Sequence, residues 1–204
     1  MNDRRDTTRR EDRRQAILDA AESLFLEQGF ERVSVNAIVQ RSGGSLATVY
    51  DLFGNKHGLL YAVVDRARNE GLKGVEDIYA AETRPGAVLR ELALRYYAFA
   101  TTPRSLALMR LVIAQSLSDP EFGRRFNQDV HLRFVARLAE AFRRWTAAGK
   151  ARIDRPQDAA DLYFAIVLCD APVRALLGIA PDDTNADALN WRLAPFLEHY
   201  HIAA

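Results

Sequence analysis

Apolar residues recur at helical spacing along almost the whole chain, and no segment shows the strict alternation that a half-buried strand requires. A clear example is residues 8–28, where one face carries Ile17, Leu18, Ala21, Leu24 and Phe25. Glycine, proline and helix-capping residues separate one periodic segment from the next. The sequence therefore predicts an all-α fold of about nine helices.

Local signals set the predicted helix boundaries. Ser34 and Ser45 are good N-caps for two short helices, which Gly43-Gly44 and Gly54-Asn55 end. A longer helix then starts near Lys56. Five more follow, over about 84–101, 103–117, 119–149, 156–178 and from Asn185 or Asp187 onward. Residue 56 is a natural division, which predicts domains over 1–56 and 57–204.

Composition excludes several classes of protein. One cysteine among 204 residues excludes a disulfide framework and fits a reducing compartment. The charged start is no signal peptide, and no apolar run is long enough to cross a bilayer, so we expect a soluble cytoplasmic protein. Residues 1–56 carry nine basic and nine acidic residues, so charge does not point to nucleic acid. Six arginines in the first 14 residues form either a phosphate-binding arm or a solvated start.

Residues 34–53 have the pattern of a helix-turn-helix. Two short helices flank a glycine-containing turn, and the second begins with small or hydroxylated residues, Ser45, Ala47 and Thr48. Such side chains suit close approach to the major groove of DNA, which is about 12 Å wide. Val49 and Phe53 face the opposite way and are expected to pack inward.

The sequence of residues 12–64 closely resembles that of the N-terminal domain of the TetR family of transcriptional regulators. The matching positions are Gly29, Phe30, Val33, Ile38, Gly43, Ser45, Thr48, Val49, Tyr50, Phe53, Asn55, Lys56 and Leu59. The segment SLALMRLVIAQSLSDPEFGRRFNQ is more weakly similar to the C-terminal domain of the AefR-like branch. The resemblance implies an N-terminal three-helix DNA-binding domain and a C-terminal helical domain for ligand binding and dimerisation.

The resemblance also implies the DNA-contacting residues: Ser34, Ser45, Leu46, Ala47, Thr48, Tyr50, Asp51 and Lys56. Capping is a second role for Ser34 and Ser45, and both roles can coexist. The sequence departs from the family pattern at Gly44, Leu46, Asp51 and Leu52. Asp51 either accepts a hydrogen bond from a cytosine amine or is solvated or paired within its helix.

For the C-terminal domain, we expect two helices to pair with those of a second copy. The segment 159–169 is apolar nearly all round, and the last helix carries a second apolar stripe. The predicted interface comprises Phe164, Leu168, Leu176, Leu189, Leu193, Phe196 and Tyr200, the alternative being that both stripes are buried within one monomer. The predicted ligand pocket comprises Tyr97, Met109, His131, Phe134, Cys169 and Asp170. Asp170 either pairs with Arg174 or binds a polar ligand.

The predicted function is that of a dimeric repressor which leaves a pseudo-palindromic operator when an unknown small molecule binds. The alternative is a dimeric helical scaffold with weakened DNA recognition that acts through a protein partner. The sequence shows no phosphate loop, HExxH or paired-cysteine motif, so no catalytic, metal or cofactor site is predicted and the chain is not expected to be an enzyme.

Overall fold

The structure is a computed structural model that describes residues 2–75, 84–179 and 184–202, with side chains from residue 7 onward. Its described residues form helices and connecting turns and no strand, which confirms the predicted all-α class. The helices are α1 Asn2–Gln28, α2 Val35–Ser42, α3 Leu46–Phe53, α4 Lys56–Gly71, α5 Pro85–Ala100, α6 Pro103–Ser118, α7 Pro120–Phe126, α8 Leu132–Ala147, α9 Pro156–Leu168, α10 Ala171–Leu176 and α11 Ala186–His199.

Contacts divide the chain into two compact units. The first comprises Met1–Ala67 and Ala107–Phe126, and the second comprises Arg68–Leu106 and Asn127–Ala204. The first unit therefore contains α1 to α3, most of α4, most of α6 and α7. A functional division between 1–56 and 57–204 stays a prediction, because the compact units follow contacts and not activities.

The core of the first unit is apolar and fully enclosed. Its most buried side chains come from α1 to α4 and α7: Ile17, Leu18, Phe25, Ile38, Val49, Leu59, Leu60 and Phe122. Arg66 of α4 ties that helix to α1 through Asp19 at 2.6 Å and Glu22 at 2.8 Å. Tyr61 stacks on Phe122 with ring centroids 4.9 Å apart and donates to its carbonyl oxygen at 2.8 Å. These contacts hold α1 and α4 in fixed positions around the short helices α2 and α3.

The core of the second unit is built from α5, α8, α9 and α11. Leu138, Phe142 and Leu193 have no exposed surface in this cluster. Tyr163 is also fully buried, and its hydroxyl donates to the Leu89 carbonyl oxygen at 2.6 Å. That bond satisfies a polar group that would be costly to bury alone.

The predicted long helix from residue 119 to 149 contains a π-helical turn at Asn127–His131, between α7 and α8. Its apolar residues recur every four positions, from Phe122 to Phe142. Each four-residue step overshoots a turn of 3.6 residues by about 40°, so a regular α-helix would wind the stripe around itself. The wider π turn takes up part of this drift, and Val130 within it is buried.

The predicted helix from residue 156 to about 178 is divided into α9 and α10. Pro172 lies in the first turn of α10, where a missing amide is tolerated. Cys169 ends α9 with a φ of 50°, which lies in the left-handed region. The sequence predicts one helix here, and the structure instead ends a helix at Leu168 and starts another at Ala171.

Candidate DNA-binding site

Helices α2 and α3 form a helix-turn-helix whose ends are capped by the predicted serines. The Ser34 hydroxyl accepts from the Ala37 amide at 3.1 Å, and the Ser45 hydroxyl accepts from the Thr48 amide at 3.1 Å. Gly43 ends α2 with a φ of 68°, a conformation that glycine adopts without steric cost. The capping role of both serines is therefore observed, and it leaves a role for their hydroxyl protons open.

The inner and outer sides of α3 differ sharply. Val49 is fully buried against the core of the first unit. The outer side presents five of the predicted DNA-contacting residues as exposed side chains: Ser45, Leu46, Ala47, Tyr50 and Asp51. Thr48 is half-buried, with its hydroxyl 2.9 Å from that of Ser45. The helix thus offers a face of small, apolar and polar groups of the kind that enters a major groove.

The basic start of the chain is helical and lies against the helix-turn-helix. Arg13 donates to the carbonyl oxygens of Gly43 and, at 3.4 Å, Ser42, in the turn between α2 and α3. The Arg14 guanidinium lies 5.6 Å from the centre of the Phe53 ring. These two contacts hold the N-terminal part of α1 beside α3.

Arg10 reaches the recognition face itself. Its guanidinium donates to the Asp51 carboxylate at 3.1 Å, and both side chains remain about two-thirds exposed, at 67% and 69%. Asp51 is therefore paired with a residue of another helix, whereas the sequence suggested pairing only within α3. Sequence reasoning missed this role of α1, because the pair joins residues 41 positions apart.

Lys56, at the start of α4, contacts the loop that follows α1. Its ammonium donates to the carbonyl oxygens of Phe30 at 3.0 Å, Glu31 at 3.4 Å and Val33 at 3.2 Å. It also lies 4.2 Å from the centre of the Phe30 ring. An ammonium has three protons, and three carbonyls receive them here. Lys56 thus binds the loop between α1 and α2 in this structure, and its phosphate contact stays a prediction.

A second ion pair joins α1 to α2. Arg41 donates to the Glu27 carboxylate at 3.0 Å and to the Ser23 hydroxyl at 2.8 Å. The hydrogen bond from Arg41 is the main cause that lowers the pKa of Glu27 below its ordinary value, followed by the bond from Ser23. This contact supports the first helix of the motif from its solvent side.

Two family models match this chain. The model for bacterial regulatory proteins of the tetR family matches residues 17–63, which include the whole helix-turn-helix. The model for the C-terminal domain of AefR-like transcriptional repressors matches residues 87–202, more than half of the chain. The chain belongs to the TetR family. The resemblance predicted from the sequence is confirmed, and the chain is a DNA-binding transcriptional regulator of this family.

Individual relatives agree with this assignment. The HTH-type transcriptional repressor Rv1474c of Mycobacterium tuberculosis is 28% identical over 83% of this chain and 85% of its own length. The repressor ComR of Escherichia coli is 43% identical over 26% of this chain and 25% of its own. A TetR-family regulator from Mesorhizobium loti has the same fold, with a TM-score of 0.77 and 25% identity, and the match covers 94% of this chain and 98% of the other. The flavonoid-responsive regulator FrrA has a TM-score of 0.68, 25% identity and coverage of 92% and 96%.

The residues predicted to line a TetR-type ligand pocket lie in different environments. Met109 belongs to the first unit and is exposed, whereas the other five belong to the second unit. Tyr97 is buried and Phe134 is half-buried, while the remaining three are exposed: His131, Cys169 and Asp170. Four of the six side chains are thus exposed in the described chain, and the ligand pocket stays a prediction.

An aromatic cluster around Phe134 lies in the second unit. Its ring centre is 4.7 Å from that of Phe164 and 5.1 Å from that of Tyr96. Burial raises the pKa of Tyr96 to about 12, so its hydroxyl keeps its proton at any physiological pH.

The predicted dimer-interface residues divide into two groups. Four are buried in the core of their own chain: Phe164, Leu189, Leu193 and Phe196. The other three, Leu168, Leu176 and Tyr200, keep exposed or half-exposed surface. The inward-facing side chains of α9 and α11 are thus covered by their own chain, and the residues of the dimer interface stay a prediction.

The outward faces of α9 and α11 are also apolar. Leu162 on α9 is 47% exposed, and Trp191 on α11 is 79% exposed. Further exposed apolar residues follow in and after α10, namely Val173, Leu176, Leu177 and Ile179. Each helix thus carries an exposed apolar side chain as well as buried ones, and helical periodicity alone does not tell which of them meet a partner.

The described residues contain no group of three or more histidine, cysteine or acidic side chains that could hold a metal ion. Within the same ranges, no helix is both long and apolar enough to cross a membrane.

Proposed function

We propose that the protein is a homodimeric repressor that binds a pseudo-palindromic operator through α3 and leaves it when a small molecule binds the second unit. The observation that carries this proposal is the outer face of α3, with five exposed side chains over a buried valine. A helix that is supported from behind and presents small and polar groups can enter a major groove.

The contacts of this face with DNA follow from the chemistry of its side chains. Tyr50 is half-exposed, and its hydroxyl can donate to a phosphate oxygen. The Ser34 hydroxyl accepts its capping bond and keeps its own proton for a phosphate. Leu46 and Ala47 offer methyl groups, which suit contact with the methyl group of thymine.

The partner on α9 and α11 is proposed to be a second copy of the chain. An exposed tryptophan and several exposed aliphatic residues on neighbouring helices exceed the scattered apolar residues of an ordinary surface. In a two-fold dimer the same surface is used twice, and two α3 helices can meet half-sites about 34–36 Å apart. The operator would then be a pseudo-palindrome.

For the effector, we propose contact with the aromatic cluster of Tyr96, Phe134 and Phe164. Three rings and a protonated hydroxyl suit an aromatic molecule that carries a hydrogen-bond acceptor. FrrA, a structural relative, responds to flavonoids, so a panel of flavonoids is a sensible first probe. We expect Tyr96→Phe to weaken flavonoid-induced release from DNA about tenfold, with DNA affinity unchanged. Release that is the same in both proteins would exclude Tyr96 from the site.

The test of the main proposal is fluorescence anisotropy with labelled DNA from upstream of the protein's own gene. A scrambled duplex serves as the control, and both are titrated at two salt concentrations. We expect binding at least ~10³-fold tighter to the upstream DNA, and a several-fold loss in Tyr50→Phe, which removes one exposed hydroxyl. Equal and weak binding to both duplexes, with an intact dimer, would favour the alternative scaffold that acts through a protein partner.

A further inference from the structure

The N-terminal part of α1 and the recognition helix α3 enclose a groove of about 750 Å³ within the first unit. Its lining consists of Thr7, Arg9, Arg10, Arg13, Ala47, Thr48, Asp51 and Leu52. Three arginines in this lining suit the approach of a polyanion, whereas the single carboxylate, that of Asp51, opposes it. The presence of that carboxylate on the reading face requires an explanation.

Stability does not explain it. Asp51 lies in the last turn of α3, where the partial negative charge of the helix end disfavours a carboxylate. Its ion pair with Arg10 is largely exposed, and exposed ion pairs contribute little to folding.

The geometry leaves one oxygen of the carboxylate available. Arg10 contacts Oδ2 at 3.1 Å, and in the described part of the chain no hydrogen bond is found for Oδ1. An ionised carboxylate only accepts hydrogen bonds. In the major groove, guanine and thymine present acceptors at the positions where cytosine and adenine present amino groups, and cytosine N4 is the usual partner of Asp or Glu.

We propose that Asp51 is a specificity-determining residue which accepts a hydrogen bond from the N4 amine of a cytosine in each operator half-site. Arg10 is its positioning residue: the guanidinium orients the carboxylate and compensates its charge near the phosphates. Arg13 and Arg14 hold α1 against the motif and so keep Arg10 within reach of α3. This inference rests on the proposed function, since it needs sequence-specific binding through α3.

The experiment is selection of binding sites from a random duplex library with the full-length protein. Four variants are compared with the wild type: Asp51→Ala, Asp51→Asn, Arg10→Gln and Asp12→Asn. Asp12 is an exposed carboxylate on α1 outside the groove lining, so its variant controls for the loss of one negative charge.

We expect the wild type and Asp12→Asn to select cytosine at one position of each half-site. Asp51→Ala should lose that preference by about tenfold or more at this position only, because the other contacts remain. Asp51→Asn should move the preference to adenine, since an amide pairs with adenine N6 and N7. Arg10→Gln should weaken the cytosine preference and leave the thermal midpoint unchanged, which a purely structural role of the ion pair would not do.

Two results would overturn the inference in distinguishable ways. A motif that is identical at every position in the wild type and Asp51→Ala would show that Asp51 reads no base, while the proposed repressor function would stand. The absence of any selected motif from the wild type would overturn the proposed function and this inference with it.

Discussion

The environment of Lys56 allows its contribution to be tested against its family-implied role. Replacing the lysine by methionine keeps the aliphatic stem and removes the ammonium. Three carbonyl oxygens at 3.0–3.4 Å then lose their charged donor, and Phe30 loses a cation 4.2 Å from its ring centre. We therefore expect Lys56→Met to destabilise the fold and not to remove a contact with DNA.

The magnitude follows from the contacts. A hydrogen bond from a charged donor contributes about 1.5–3 kcal/mol, and a half-exposed cation–π contact about 0.5–1 kcal/mol. Water can replace part of the lost donor because the site is half-buried. We therefore expect a loss of about 2–3 kcal/mol in the free energy of unfolding, or roughly 4–12 °C in the thermal midpoint.

The assay combines urea unfolding with DNA titration, and Lys73→Met is the matched control. Lys73 is exposed, so its variant removes the same charge without the same contacts. Its free energy of unfolding should stay within about 0.5 kcal/mol of that of the wild type. The salt dependence of DNA binding should be unchanged in Lys56→Met. An unchanged midpoint together with a salt slope reduced by about 1 would refute the reasoning and place the ammonium on a phosphate.

Three further predictions concern the turn, an ion pair and the dimer. Gly43→Ala should lower the free energy of unfolding in urea by about 1–2 kcal/mol through left-handed strain alone, since no atom lies within 4 Å of the added carbon. Gly44→Ala is the control and should be nearly neutral. Equal effects of the two substitutions would contradict this reasoning. Glu27→Gln should lower stability at neutral pH, and the difference should shrink as the pH falls through the lowered pKa of Glu27; a gap independent of pH would exclude the ion pair as its cause. Trp191→Glu should give monomers in sedimentation velocity, because it places a charge on the proposed interface. Leu117→Glu, at an exposed site on α6, should stay dimeric. If both variants stay dimeric, α11 is excluded from the interface.

Sequence reasoning succeeded where the determining interactions are local. The caps at Ser34 and Ser45 act on amides three residues away, and the left-handed turn at Gly43 depends on one residue. Helical periodicity likewise placed Ile38 and Val49 inside. Each of these features is read from a few neighbouring letters.

Reasoning from the sequence is weakest where a helix has more than one candidate partner. α9 and α11 are apolar on two sides, and periodicity does not tell which side meets the core of the same chain and which meets another molecule. The first turns of α1 are the opposite case. They carry charges without apolar periodicity, and two of the arginines that follow, Arg10 and Arg13, contact residues far along the chain, on α3 and in the turn before it.

The neutral charge of the N-terminal segment illustrates how composition misleads about a site. Nine basic and nine acidic residues in positions 1–56 predict no attraction to DNA. Several of the acids lie elsewhere: Glu27 pairs with Arg41, while Asp19 and Glu22 pair with Arg66. The groove beside α3 keeps three arginines against one aspartate. The electrostatic potential at a phosphate depends on the charges within about a Debye length, some 8–10 Å. The local excess of arginine therefore favours DNA binding beside α3, although the net charge of residues 1–56 is zero.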